Sequence, residues 1–120
     1  MIKVILETPY SGDTERNIKY ARHCMKECLL NNESPLVSHL LYTQVLDDTI
    51  KLERKLGIQA GFAWREFADL TVVYTDYGIS KGMTYGINHS ILMNIPVEYR
   101  KLNNLEELMK WAKHYYQKKA

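Results

Sequence analysis

Residues 69 to 83 constrain the fold of this chain more than any other part of its sequence. Residues 70–74, Leu-Thr-Val-Val-Tyr, predict a short strand that is buried on both faces. Residues 75–78 predict a polar turn, and Ser80 is a suitable N-cap for a helix whose apolar residues recur every fourth position. A strand, a glycine-bearing loop and a helix in direct succession are typical of a parallel α/β sheet. In such sheets the helix start offers free N–H groups and a positive dipole end to a ligand.

The rest of the chain repeats this alternation of strand and helix. Strands are predicted at residues 2–6, 35–38, 70–74 and 96–99. Helices are predicted from Asp13 to about Leu30, from Asp47 or Asp48 to about Phe67, from Ser80 onward and from Asn103 or Asn104 onward. The pattern predicts one domain over residues 1–120, a small Rossmann- or flavodoxin-like three-layer α/β fold. Its four-stranded parallel sheet should have the order 2-1-3-4, with helices on both faces.

The second long helix has a mostly apolar stripe of residues that recur at three- and four-residue steps. The stripe consists of Leu52, Leu56, Gln59, Ala60, Ala63 and Phe67. Gly57 and Gly61 would let another backbone come close, either in the sheet or in another subunit. Together with Trp64 and the aromatic residues at positions 111, 115 and 116, they suggest a homo-oligomer.

Composition excludes several classes of function. The net charge of +2 gives no electrostatic footprint for nucleic acid, and no apolar run approaches membrane-spanning length. The chain begins directly with a predicted strand and without a signal-peptide pattern, so we expect a cytoplasmic protein. Cys24 and Cys28 lack partners at metal-ligand spacing and are interpreted as packing residues. No metal and no cofactor is predicted.

The predicted strand order brings three loops together, at residues 7–12, 38–44 and 75–83. The candidate ligand-binding residues in them are Glu7, Pro9, Tyr10, Ser11, Gly12, His39, Tyr42, Asp76, Ser80, Gly82 and Met83. Tyrosines can stack on a nucleobase, carboxylates can accept ribose hydroxyls, and a helix N-terminus can hold a phosphate. This set predicts a nucleoside or nucleotide as the ligand. Glu7 is the strongest candidate, because a carboxylate at the end of a buried strand is costly unless it is paired or functional.

The sequences of these loops also resemble those of a known group of proteins. In order and spacing, residues 7–12, 38–42 and 76–83 resemble a family of small phage and bacterial proteins, which is similar to the nucleoside 2-deoxyribosyltransferase superfamily. The resemblance covers roughly residues 1 to 102. It implies a glutamate nucleophile on the helix after the third loop, attacking the anomeric carbon of a nucleoside. That position falls at about Gly86, beside Tyr85, and residues 80–92 contain no acidic side chain.

Three functions remain open at this point. The first is a non-catalytic nucleoside- or nucleotide-binding protein. If the chain is phage-encoded, it would act in the host cytoplasm as an anti-defense sponge for a cyclic oligonucleotide or ADP-ribose signal. The second is an enzyme that hydrolyses or transfers an N-glycosidic bond with Glu7 or Asp76. The third is an oligomeric scaffold.

Overall fold

A computed structural model describes residues 1–102 of the chain. Its strands are β1 (Ile2–Glu7), β2 (Glu33–Leu36), β3 (Leu70–Tyr74) and β4 (Val97–Arg100). Its helices are α1 (Thr14–Leu30), α2 (Ser38–Leu41), α3 (Lys51–Arg65) and α4 (Lys81–Leu92), and a 3-10 turn at Tyr42–Gln44 follows α2. The helix expected from Asn103 or Asn104 lies outside the described residues.

The four strands form one parallel sheet in the order β2-β1-β3-β4, which confirms the predicted topology. Val4 pairs with Leu70 and Glu7 with Val73, so the carboxyl ends of the two central strands meet at one edge. Because successive side chains of a strand point to opposite faces, β3 supplies two core layers. Val72 and Tyr74 pack with α1 on one face, and Val73 packs with α4 on the other.

The second strand begins two residues earlier than predicted. Asn31 closes α1 by donating its backbone N–H to the carbonyls of Glu27 and Cys28. Asn32 then adopts a left-handed conformation with φ of 60°, which asparagine tolerates better than most residues. Because this two-residue turn is enough to reverse the chain, β2 already begins at Glu33. The strand therefore ends before Ser38, which is the first residue of α2.

Helix α3 begins at Lys51, later than predicted, because Asp47 does not act as its N-cap. The Asp47 carboxylate accepts hydrogen bonds from the Thr49 backbone N–H at 2.9 Å and from the Thr49 hydroxyl at 2.6 Å. This local Asx turn satisfies the side chain before the helix begins. Strand β4 is likewise displaced by one residue from the predicted range.

The apolar stripe of α3 is present, but it faces away from the sheet. Gly61 and Arg65 are the buried residues of this helix, whereas Leu52 and Phe67 keep 67% and 66% of their surface exposed. A Cβ on Gly61 would lie 3.0 Å from the side chain of Ser38, so the close approach is to α2 of the same chain. Within residues 1–102, no helix combines the length and the apolar character needed to cross a membrane.

Candidate functional site

A cleft of about 700 Å³ opens beyond the carboxyl end of β1. One wall is the segment that follows β1, and a second is α2 with the turn after it. Helix α3 and the first two turns of α4 complete the lining. This volume lies within the range of small-molecule sites, and the position is the one at which parallel α/β sheets bind ligands.

Eight predicted site residues line this cleft. They are Glu7, Tyr10, Ser11, His39, Tyr42, Ser80, Gly82 and Met83. The sheet order places the first and third loops side by side, because β1 and β3 are neighbours. His39 of α2 contacts Thr8 of the first loop.

Glu7 is a carboxylate at the base of the cleft with an arginine partner. Only 12% of its side chain is exposed, and it forms an ion pair with the guanidinium of Arg65, which is 4% exposed. Burial raises the pKa of Glu7, and the charge and hydrogen bond of Arg65 oppose that rise. Arg65 is itself fixed, since it donates to the Ser90 hydroxyl at 2.8 Å and approaches Thr71 Oγ1 at 3.4 Å.

Gly86 provides the space that the Glu7 carboxylate occupies. A Cβ at position 86 would overlap this carboxylate, and even its farther oxygen, Oε2, would lie only 2.8 Å away. The carboxylate beside this position of α4 is therefore supplied by β1.

The start of α4 gives the cleft a group of hydrogen-bond donors. Ser80 caps the helix by accepting the Met83 backbone N–H at 3.2 Å. The N–H groups of Lys81 and Gly82 come before the first intrahelical hydrogen bond and are available to a ligand. Both residues line the cleft, so the positive end of the helix dipole and the Lys81 ammonium act on the same cavity.

His39 faces the cleft as a neutral imidazole. Its Nε2 lies 2.7 Å from the Thr8 hydroxyl, and its ring meets the ring of Tyr10 edge-on at 6.0 Å between centroids. Burial lowers the pKa of His39 to about 4. At neutral pH the side chain can therefore exchange a hydrogen bond with Thr8 or a ligand without carrying charge.

Three of the predicted residues do not line the cleft. The Asp76 carboxylate accepts hydrogen bonds from the Tyr20 hydroxyl at 2.5 Å and from the Leu102 backbone N–H at 3.2 Å, which ties the loop after β3 to α1. Gly12 turns the first loop into α1 with φ of 98°, and Pro9 lies in the same loop. Asn17 holds this loop by donating to the carbonyls of Tyr10 and Ser11 at 3.0 and 3.1 Å.

The sequence interpretation missed the contribution of α3. Arg54, Phe62 and Arg65 line the cleft, and Arg65 had no assigned role. A signal was present, because Arg65 follows Gly57 and Gly61 at intervals of four and so shares the face on which the helix packs closely. Within residues 1–102, no group of three or more His, Cys, Asp or Glu side chains is placed to hold a metal ion.

The cleft therefore joins groups of several kinds in one cavity. It has a buried carboxylate in Glu7, a helix N-terminus beside Lys81, and aromatic rings from Tyr10, Tyr42 and Phe62. Such a set can bind a ligand that has a flat ring, hydroxyl groups and an anionic group.

Comparison with known proteins identifies a family for this chain and a solved structure of similar fold. Residues 2–100 match the family described as "Domain of unknown function (DUF7768)". A 2-deoxyribosyltransferase from the psychrotolerant bacterium Bacillus psychrosaccharolyticus has a similar structure, with a TM-score of 0.60. The two chains are 14% identical over 82% of this chain and 72% of that chain, so the likeness is one of fold. It confirms the deoxyribosyltransferase-like α/β fold. No curated protein matches the chain significantly.

Proposed function

The chain belongs to the DUF7768 family of domains of unknown function, and we propose that it binds a nucleoside or a nucleotide in the cleft at Glu7. One observation carries this proposal: a buried carboxylate, aromatic rings and a helix N-terminus line the same cavity of about 700 Å³. The fold likeness to a 2-deoxyribosyltransferase supports it, because that protein is described as a catalyst for the synthesis of nucleosides.

Each part of a nucleotide has a chemical counterpart in the cleft. We assign the base to the aromatic side chains of Tyr10 and Tyr42, which offer faces for stacking. The ribose hydroxyls would donate to the Glu7 carboxylate. A phosphate would accept from the N–H groups of Lys81 and Gly82 at the start of α4, where the helix dipole and the Lys81 ammonium favour a negative charge.

Binding without turnover is the form of this function that we favour. Residue 86 has no side chain to act as a nucleophile, and the Glu7 carboxylate is paired with Arg65. An ion pair stabilises the carboxylate and makes it a weaker nucleophile. The cleft would then sequester a nucleotide, and we propose an immune signal such as a cyclic oligonucleotide or an ADP-ribose derivative as its cargo in a host cytoplasm. This role rests on the chemistry of the cleft and on the missing nucleophile.

Native mass spectrometry of the purified protein is the direct test. The protein as isolated, or after incubation with a nucleotide panel, should carry one small molecule per chain that is recovered intact after denaturation. Glu7→Gln and Lys81→Ala should each weaken its binding by about tenfold or more, because each removes a charged hydrogen-bonding partner. Lys26→Ala, on the exposed surface of α1, is the matched control and should bind like the wild type. Absence of binding across the panel would contradict the proposal.

Hydrolysis of an N-glycosidic bond is the second candidate, and the position of Glu7 above Gly86 favours it. The raised pKa of Glu7 suits a general acid or base, whereas Asp76 lies outside the cleft lining. Water would add to the anomeric carbon, the bond from that carbon to the base nitrogen would break, and the base would leave with a proton. Chromatography of the incubated panel would then show free base. In this case Glu7→Gln should abolish release of the base while ligand binding persists.

A further inference from the structure

Helix α3 presents its apolar side to solvent. The outer stripe, as we call it, is apolar except for Gln59. It consists of Leu52, Leu56, Gln59, Ala60 and Ala63 along one side of the helix and of Phe67 in the turn that follows it. The three large members are between 49% and 67% exposed. The opposite side of α3 carries Gly61 and Arg65, which are buried against α2 and the sheet.

An aligned apolar stripe differs from scattered exposed side chains. Single exposed leucines are common on soluble proteins, but a row that covers about three helical turns, from Leu52 to Ala63, matches the seam by which helices pack together. Trp64, which is 57% exposed, lies beside the row and widens the apolar surface. The stripe is on the far side of α3 from the cleft, so its exposure has no explanation in ligand binding.

We propose that the outer stripe is the contact between two copies of this chain, with their α3 helices packed antiparallel about a two-fold axis. The order of side chains along the stripe suits this arrangement. With the axis between Gln59 and Ala60, Leu52 of one copy would meet Phe67 of the other, and Leu56 would meet Ala63. Large residues then face each other at the two ends, and smaller ones let the helices approach in the middle. A two-fold axis generates each contact twice.

Charge on the border of the stripe supports a second copy as the occupant. Lys55 and Glu66 are eleven residues apart, close to three full turns, so they lie along the same edge of the stripe. In an antiparallel pair, Lys55 of one copy would lie against Glu66 of the other, and the symmetry repeats this pair. In a parallel pair about a two-fold axis, this edge would instead face the opposite edge of the other helix. Only the antiparallel arrangement sets the edge with Lys55 and Glu66 against itself, and there the two charges are complementary.

Sedimentation velocity of the full chain over a concentration series from roughly 1 to 100 μM tests the proposal. We expect a dimer whose fraction rises with concentration. Leu56→Glu should raise the dissociation constant by about tenfold or more, because it places a carboxylate in the apolar contact. Leu29→Glu is the matched control, since Leu29 of α1 is 48% exposed against 49% for Leu56 and α1 packs on the other face of the sheet. Circular dichroism should show that both variants remain folded.

Exchange of the charges tests the antiparallel register. Lys55→Glu and Glu66→Lys should each weaken the dimer, and the double variant should recover most of the wild-type affinity because it restores the pair with its signs reversed. A chain that is monomeric over the whole series would overturn the proposal, including the case in which another segment of the same chain covers the stripe. A dimer that withstands Leu56→Glu would overturn it as well. A double variant weaker than both single variants would overturn the antiparallel register.

Discussion

Three residues that are far apart in the sequence lie together in the fold: Glu7 of β1, Arg65 of α3 and Gly86 of α4. Gly86 provides the space into which Glu7 extends, and Arg65 supplies the countercharge that makes a buried carboxylate tolerable. Position 86 therefore requires glycine because the Glu7 carboxylate occupies the space of a Cβ, and not because the backbone there has a positive φ.

The first prediction concerns Gly86→Ala, which should destabilise the protein. Alanine favours a helix interior by about 1 kcal/mol over glycine, but its Cβ would overlap the Glu7 carboxylate. Overpacking of this kind costs about 1–3 kcal/mol, so we expect no net gain in the free energy of unfolding and a loss of up to about 2 kcal/mol. Urea denaturation measures this difference.

Gly82→Ala is the control for this prediction. A Cβ at position 82 of the same helix would come no closer than 4.0 Å to the Ser80 hydroxyl, so the substitution should be neutral or stabilising. If Gly86→Ala stabilised the protein as much as Gly82→Ala, the Glu7 carboxylate would not be fixed above Gly86.

At the scale of elements, α2 and α3 decide the shape of the cleft. Both lie between β2 and β3 in the chain, and they contact each other where Gly61 of α3 meets Ser38 of α2. Helix α2 has only four residues, which is too few to be stable alone. The contact of His39 with Thr8 is therefore part of what holds this wall against β1.

The second prediction follows from His39 and concerns pH. Burial lowers the pKa of His39 from 6.5 to about 4, so between these values the unfolded chain binds a proton that the folded chain does not. The free energy of unfolding should therefore fall as the pH decreases from about 6.5 to 4, by at most about 3 kcal/mol from this group, and this loss should stop below pH 4.

Urea-induced unfolding at several pH values measures this change in the free energy of unfolding. His39→Gln should flatten the profile between pH 6.5 and 4, whereas His23→Gln, on the exposed surface of α1, should leave it as in the wild type. A profile that is equally steep with and without His39 would contradict the prediction, because it would mean that the pKa of His39 is the same in the folded and unfolded states.

At the scale of the whole molecule, stability should be highest in the two central strands. Val4 and Leu6 of β1 and Val72 to Tyr74 of β3 are at most 2% exposed, and each strand has neighbours on both sides. The third prediction is that amide hydrogens of these segments exchange more slowly than those of β2 and β4, which lie at the sheet edges within the described residues. Hydrogen exchange followed by mass spectrometry checks this, and faster exchange in β3 than in β4 would contradict it.

The sequence was sufficient to predict the sheet because alternation of strand and helix and the apolar run at residues 70–74 are local signals. It was not sufficient to orient α3. Periodicity shows that Leu52, Leu56 and Phe67 share one side of a helix, but it does not show whether that side meets the sheet or solvent. The pairing of Arg65 with Glu7 could not be predicted without this orientation, because Arg65 lies on the buried side of α3. The contact of Asp76 with Tyr20 could not be predicted either, since the two residues are 56 positions apart in the chain.

The order of the strands has a consequence for synthesis. Strand β1 is made first and lies inside the sheet, but its partner β3 is translated only after residue 69, so β1 must wait with one edge unpaired while the intervening chain emerges from the ribosome. Contacts between such distant segments form slowly, because a long loop has to close first. The cleft is completed later still, when Ser80 to Gly86 join it. A nascent chain in which this cleft is complete has therefore already assembled its central sheet.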